Sequence, residues 1–221
     1  MFRVFKNLIS EADCQTLRKL AATGEFQGGE KTVGGDLRSV KQNQEFAGNR
    51  QELDRIFRNA VGGCQELQDF VMAKAAKPPI LSRYVPGMHY GRHLDTPLLF
   101  TGNMTVRSDI SMTVFINPPE TYDGGELTME TDFGLHKVKL PAGDAVVYDT
   151  QSYHWVSEVT RGERLGLVTW FQSLVADPAQ RRTLFELRQA FNDIAPKQPD
   201  AESTRQLQKV LNNLTRLWAE P

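Results

Sequence analysis

Apolar residues along this chain recur first at helical spacing, then at every second position, then at helical spacing again. Leu53, Ile56, Phe57, Ala60 and Val61 fit one helical stripe. Leu67, Phe70 and Val71 resume it beyond Gly62 and Gly63, which predicts two packed helices. An earlier helix over residues 11–22 is predicted by its start, where Ser10 and Asp13 form a capping box and Ile9 and Cys14 a hydrophobic staple. The stretch 24–49 is Gly-rich and polar and reads as loop with short strands.

From Pro79 to about Ser173 the period is two. Ile80, Ser82 and Tyr84 alternate with Leu81, Arg83 and Val85, and Ile110, Met112, Val114 and Ile116 with Ser111, Thr113 and Phe115. Further strands are predicted over 126–130, 136–140, 144–148, 154–159 and 164–172, separated by turns such as Asp123-Gly124-Gly125 and Pro141-Ala142-Gly143-Asp144. Many short strands at this spacing favour a double-sheet jelly roll or a barrel over an open parallel sheet. Beyond them, Asp177-Pro178 supplies an N-cap and an N1 proline for a helix carrying Leu184, Leu187 and Phe191, and a last helix is expected to bury Leu207, Val210, Leu211, Leu214 and Trp218. The reading is mainly β with flanking helices: a support region over 1–74, a β core over 75–173 and a C-terminal helical extension over 174–221.

Composition narrows the class. With 221 residues and 40% hydrophobic content, one substantial core is the expectation. Twenty-six basic and 27 acidic residues leave a net charge of -1, so no global field favours nucleic acid or an anionic membrane. No stretch has the length and apolarity of a signal peptide or a membrane span, and a cytoplasmic location is expected. Two cysteines, Cys14 and Cys64, argue against a disulfide scaffold and leave no Cys-x-x-Cys pair for zinc or redox chemistry.

Candidate chemistry lies among the four histidines, at 89, 93, 136 and 154. In His93-Leu94-Asp95, residues two apart on an extended segment point the same way, so an imidazole and a carboxylate can converge on one ion. The tripeptide alone is weak, since an incidental charge pair on a surface loop has the same letters. His154, on a later strand that a barrel can bring beside the first, would complete two histidines and one carboxylate with a face left open, the arrangement of non-haem iron(II) oxygenases. Zinc accepts the same donors. Arg164, ten residues after His154, shares a strand face with Gly166, Val168 and Trp170, a mostly apolar set on which an arginine needs a partner. A dicarboxylate tail suits it, because guanidinium meets carboxylate with two parallel hydrogen bonds; an exposed arginine paired with Glu163 is the plainer alternative.

Longer strings then carry a family resemblance. Arg83-Tyr84, Tyr90-Gly91-Arg92-His93-Leu94-Asp95, Asp109-Ile110-Ser111 and Tyr122-Asp123-Gly124-Gly125-Glu126-Leu127 are followed by Val138-Lys139-Leu140-Pro141-Ala142-Gly143-Asp144. His154, Val159-Thr160-Arg161-Gly162 with Arg164, and Leu184-Phe185-Glu186-Leu187 complete the set. The chain resembles, over nearly its whole length, the PKHD-type hydroxylases, bacterial relatives of prolyl 4-hydroxylases among the iron(II)- and 2-oxoglutarate-dependent dioxygenases, a family associated with iron uptake.

The resemblance implies a double-stranded β-helix over 75–173 with His93, Asp95 and His154 as iron ligands and catalytic centre. It implies Arg164 as the 2-oxoglutarate anchor and Tyr84 as a second co-substrate contact, a core tyrosine with a backbone partner being the alternative for Tyr84. It further implies ascorbate (vitamin C) as a reductant. The expected reaction consumes 2-oxoglutarate and dioxygen, yields succinate and carbon dioxide, and hydroxylates an unidentified small-molecule or peptide substrate. A homo-oligomer is compatible with this reading. Residues 96–107, with Leu98, Leu99, Phe100 and Met104, are expected to form a loop covering the substrate. Two other functions fit the same residues: a non-catalytic iron-binding sensor that modulates a partner, and a cupin-like isomerase or hydrolase on the same architecture.

Overall fold

The structure is a computed structural model and describes residues 2–35, 37–102 and 104–221. Two sheets face each other. The larger has eight strands, in the order Phe2–Phe5, Ala145–Asp149, Ile110–Phe115, Arg164–Ser173, Ile80–Tyr84, Gln44–Phe46, Phe26–Gly28, with Ala73–Ala76 paired to the far end of Arg164–Ser173. The smaller has five, in the order Gly134–Val138, Leu127–Thr131, His154–Val156, His89–His93, Lys41–Gln42. All pairings are antiparallel, and the core chain passes back and forth between the sheets, with Leu127–Thr131 and Gly134–Val138 consecutive in the smaller one, which is the jelly-roll arrangement read from the strand spacing.

Period-two alternation gives each strand of the large sheet two jobs. Ile110, Met112 and Val114 join Leu165, Leu167 and Phe171 in a cluster with Cys14, Leu17, Leu53, Ile56 and Phe70 of the helices. Phe115, Val146, Tyr148 and Tyr84 point the other way and pack with Leu127, Met129, Val138 and Val156 of the small sheet. Every residue of Ile110–Phe115 is consequently buried. Full burial of such side chains contributes about 1.5–3 kcal/mol each before entropy is counted, so this double-faced strand anchors the fold. At Gly143 (φ 89°) the turn lies against the N-terminal segment: a Cβ would stand 2.5 Å from the Ile9 carbonyl oxygen, whose own amide donates to Gly143.

The helices cover the outer face. Glu11–Thr23 starts at Ser10, whose hydroxyl accepts from the Asp13 amide at 3.1 Å, and Ile9 and Cys14 are both buried as the staple requires. Burial pushes the Cys14 thiol up to about 12, and both cysteines are free. Gln51–Gly63 and Gln65–Val71 are the predicted helix pair. Pro178–Ile194 is capped by Asp177, which accepts from the amides of Ala179 and Gln180, and is joined to the barrel by a buried ion pair from Arg181 to Asp149. Glu202–Trp218 packs on it through Leu211, with Leu214 and Trp218 partly buried. Among the described residues no helix is long and apolar enough to cross a membrane.

Several expected elements differ. The single strand over 154–159 is two, His154–Val156 and Val159–Arg161, because Ser157 turns aside to bond Glu126: its hydroxyl accepts from the Glu126 amide at 2.9 Å and donates to the Glu126 carboxylate. Val159–Arg161 then pairs with Asp123–Gly124. The strand expected over 136–140 begins earlier, as Gly134–Val138, since it forms a hairpin with Leu127–Thr131. The polar stretch 24–49 holds three short strands that extend both sheets. Residues 96–107 are not an irregular loop: Leu98–Thr101 and Met104–Arg107 pair as a hairpin, with Phe100 79% exposed and Val106 buried. In the last helix Val210 faces solvent, contrary to its expected burial.

Candidate metal centre

Antiparallel pairing of His89–His93 with His154–Val156 sets His93 opposite His154, their ring centroids 4.3 Å apart. Asp95 follows where that strand ends, and its Oδ1 lies 3.6 Å from His154 Nε2. One donor atom from each of the three falls within 4.8 Å of the others. Each imidazole is held by its far nitrogen: His93 Nδ1 lies 2.7 Å from the Gly91 carbonyl oxygen and His154 Nδ1 3.1 Å from that of Ser152. An N–H donated to each carbonyl leaves both Nε2 lone pairs turned toward the shared space, the tautomer a metal ligand needs.

The electrostatics suit a cation. Burial, then the neighbouring His154, lowers the His93 pKa to about 4, so its ring is neutral near pH 7. Asp95 Oδ2 is buried without a hydrogen-bond partner, a costly condition for a carboxylate that a bound ion would relieve. The donor set of two imidazoles and one carboxylate therefore fits iron(II). Tyr90 stacks on His93 at 3.6 Å between centroids and 12° between planes, and Tyr148 meets the His154 ring nearly edge-on at 5.3 Å. Both phenols are raised by burial and further by Asp95, so they stay neutral walls of the site.

Arg164 lies deeper in the same barrel. Its strand position pairs with Tyr84, and the guanidinium stands 5.1 Å over the Tyr84 ring and 5.4 Å over that of Phe115. The residue is 1% exposed, its Nε has no partner, and among the described residues no carboxylate lies within ion-pair distance of it. The alternative of an exposed arginine paired with Glu163 is excluded by this burial. Gly125 (φ 66°), a turn residue by sequence, also makes room here: a Cβ would come within 2.9 Å of Arg164 Cδ. Beyond burial, Asp95 and Arg164 act on the Tyr148 phenol in opposite senses, the carboxylate raising its pKa and the guanidinium lowering it. Its role, like that of Tyr90, was not read from the sequence, although Tyr148 sits on the inward alternation of its strand with Val146.

A cavity of about 350 Å³ reaches Asp95 from outside, bordered by Leu94, Pro97, Ser108 and Gln151. The base of the Leu98–Thr101 hairpin frames it: Ser108 Oγ donates to the Thr96 carbonyl, and Arg107 bonds Asp109 at 2.7 Å. A larger cavity of about 470 Å³ shares Gln151 and runs behind Tyr148, but none of the three metal-binding residues lines it.

Known proteins agree with this geometry. Residues 79–172 match the 2OG-Fe(II) oxygenase superfamily and residues 178–220 the PKHD-type hydroxylase C-terminal domain. A PKHD-type hydroxylase of Thioalkalivibrio sulfidiphilus is 40% identical over the full length of both chains, and one of Beijerinckia indica is 38% identical over 92% of each. Among solved structures, a Pseudomonas putida prolyl-4-hydroxylase superposes with a TM-score of 0.58 at 22% identity, covering 78% of this chain and 92% of its own. With its facial triad of His93, Asp95 and His154, the chain belongs to the PKHD-type hydroxylases and is an iron(II)- and 2-oxoglutarate-dependent dioxygenase.

Proposed function

We propose that Arg164 and Tyr84 hold the co-substrate, and that the enzyme hydroxylates a small-molecule or peptide substrate presented at the Asp95 cavity. The observation that carries this reading is the buried guanidinium of Arg164, which has aromatic neighbours but no acid partner among the described residues. A charge so placed is expensive unless a ligand neutralises it. A 2-oxoglutarate distal carboxylate would accept two parallel N–H bonds from it, and a metal sensor would have no use for such a group. Tyr84, almost fully buried beside Arg164, has its phenol kept protonated by desolvation and can donate to the same carboxylate.

A ferrous ion held by His93, Asp95 and His154 would supply dioxygen activation coupled to the oxidative decarboxylation of 2-oxoglutarate to succinate and carbon dioxide. The chain's own part is positional. His93 stays neutral, both imidazoles are fixed by their carbonyl bonds, Asp95 would balance the ion's charge, and Tyr90 and Tyr148 wall the ligands with apolar surface that keeps water out. Ascorbate, implied by the family, would restore the ferrous state after turnovers that fail to oxidise substrate. A cytoplasmic location accords with these cofactors.

Succinate release tests the reading. Protein loaded anaerobically with iron(II), then given 2-oxoglutarate and air, should form succinate slowly even without substrate, and more per chain when ascorbate is added. His93→Ala should form none. Absence of succinate from wild-type protein with iron verified in the site would contradict the proposal.

A further inference from the structure

The rim of the barrel carries a second cation that the co-substrate does not need. Lys77 lies between Ala73–Ala76 and Ile80–Tyr84, pinned by its backbone: its amide donates to the Trp170 carbonyl at 2.9 Å and its carbonyl accepts from Thr169 Oγ1. Trp170 shares the inward face with Arg164, six positions earlier on the strand. Register sets Trp170 beside Ser111, and Ser111 beside Tyr148, the residue whose ring meets His154. Trp170 therefore stands level with the metal centre, at the half-exposed end of a face whose other end is the buried Arg164. The Lys77 ammonium lies over its indole, 4.8 Å from the ring centroid.

Among the described residues this ammonium has no acid within ion-pair distance. Desolvation is the main influence on it and lowers its pKa, while Glu45 and Asp95 favour the charged form and Lys41 and Arg50 oppose it. Both acids are committed elsewhere. Glu45 accepts from Lys41 at 2.6 Å and from Thr32 at 3.0 Å in a buried network, and Asp95 belongs to the ion. Trp170 Nε1 is also buried without an acceptor. A buried indole N–H thus lies beside a half-buried ammonium, and neither has an acceptor among the described residues.

We propose that the substrate carries a carboxylate, and that Lys77, seated on Trp170, binds it and so turns the carbon to be hydroxylated toward the metal. The proposal rests on the dioxygenase reading above and adds the substrate's chemical class to it. One ammonium and one indole N–H match the two oxygens of a carboxylate. The two cations of the strand region then divide the work: the deep one takes the co-substrate, the rim one the substrate. Neither can replace the other, because Arg164 is closed off from solvent and Lys77 is half-buried.

Manganese(II)-loaded protein saturated with 2-oxoglutarate tests this by NMR, through paramagnetic broadening of a small probe near the metal. The probes are N-acetylglycine and its neutral counterpart N-acetylglycinamide. The acid should broaden saturably, and the amide should bind about tenfold more weakly, the scale of one lost charge-assisted bond. Lys77→Met should weaken the acid by a similar factor and remove its preference over the amide, and Lys77→Arg should retain it. Broadening of 2-oxoglutarate itself should be unchanged in Lys77→Met, which also shows that the variant is folded. Equal binding of acid and amide, unchanged acid binding in Lys77→Met, or loss of 2-oxoglutarate broadening in that variant would overturn the proposal. Failure of 2-oxoglutarate to broaden in the wild type would instead overturn the dioxygenase reading beneath it.

Discussion

Along Arg164–Ser173 one strand is written to two specifications. Leu165, Leu167 and Phe171 face the helices, where each is buried among apolar partners. Arg164, Gly166, Val168 and Trp170 face the barrel interior, where, among the described residues, a guanidinium lacks an acid and an indole N–H lacks an acceptor. The helix face satisfies itself. The barrel face is left incomplete in the places where ligands belong, and that contrast separates what stabilises the chain from what it does.

If the outer contacts carry the stability, cutting one should unfold more protein than any change inside the barrel. Arg181→Ala breaks the buried pair with Asp149 and removes the donor to the Val175 carbonyl, so it should cost about 3–5 kcal/mol in urea unfolding. A loss under about 1 kcal/mol would mean that the C-terminal helix is held by packing alone. Leu167→Ala, next in size, should cost about 3 kcal/mol through the cavity it leaves, while iron binding by the folded fraction is unaffected. Reduced iron affinity there would blur the division between the two faces.

Acid tests the inner face. His93 titrates near 4 in the folded metal-free chain and near 6.5 when unfolded, so between those values the unfolded state binds more protons. The stability present above pH 6.5 should therefore fall by on the order of 2–3 kcal/mol as pH is lowered toward 4. Urea midpoints of metal-free protein across this range should show the slope, and His93→Gln should flatten it. An equal slope in the variant would assign the acid sensitivity to other groups. The smallest effect on stability belongs to Arg164→Met: removing an unpaired buried charge should leave unfolding unchanged or raise the midpoint slightly. A loss as large as that of Leu167→Ala would make Arg164 a structural residue.

Much of this contrast was legible in the sequence wherever a local rule governs. Two-residue alternation gave the inward and outward sets of Ile110–Phe115, the Ser10 and Asp177 caps set two helix starts, and Arg164 with Trp170 could be assigned one face. What stayed hidden depends on register between distant strands. Tyr90 over His93, Tyr148 beside His154 and Lys77 over Trp170 are made by pairings that no short window contains. The split after Val156 was hidden for another reason: Ser157 and Glu126 bond side chain to backbone, which interrupts a stretch whose apolar pattern continues.

The central claim is that the barrel's unpaired arginine waits for a dicarboxylate. Anaerobic titration of 2-oxoglutarate into iron(II)-loaded wild type and Arg164→Ala, followed by the metal-to-ligand charge-transfer band, tests it most directly. Loss of a buried charge partner costs about 2–5 kcal/mol, so the apparent Kd for 2-oxoglutarate should rise by roughly thirtyfold or more while iron affinity holds. Arg164→Lys should fall between the two, keeping the charge without the paired geometry. An unchanged Kd for 2-oxoglutarate in Arg164→Ala would contradict the account.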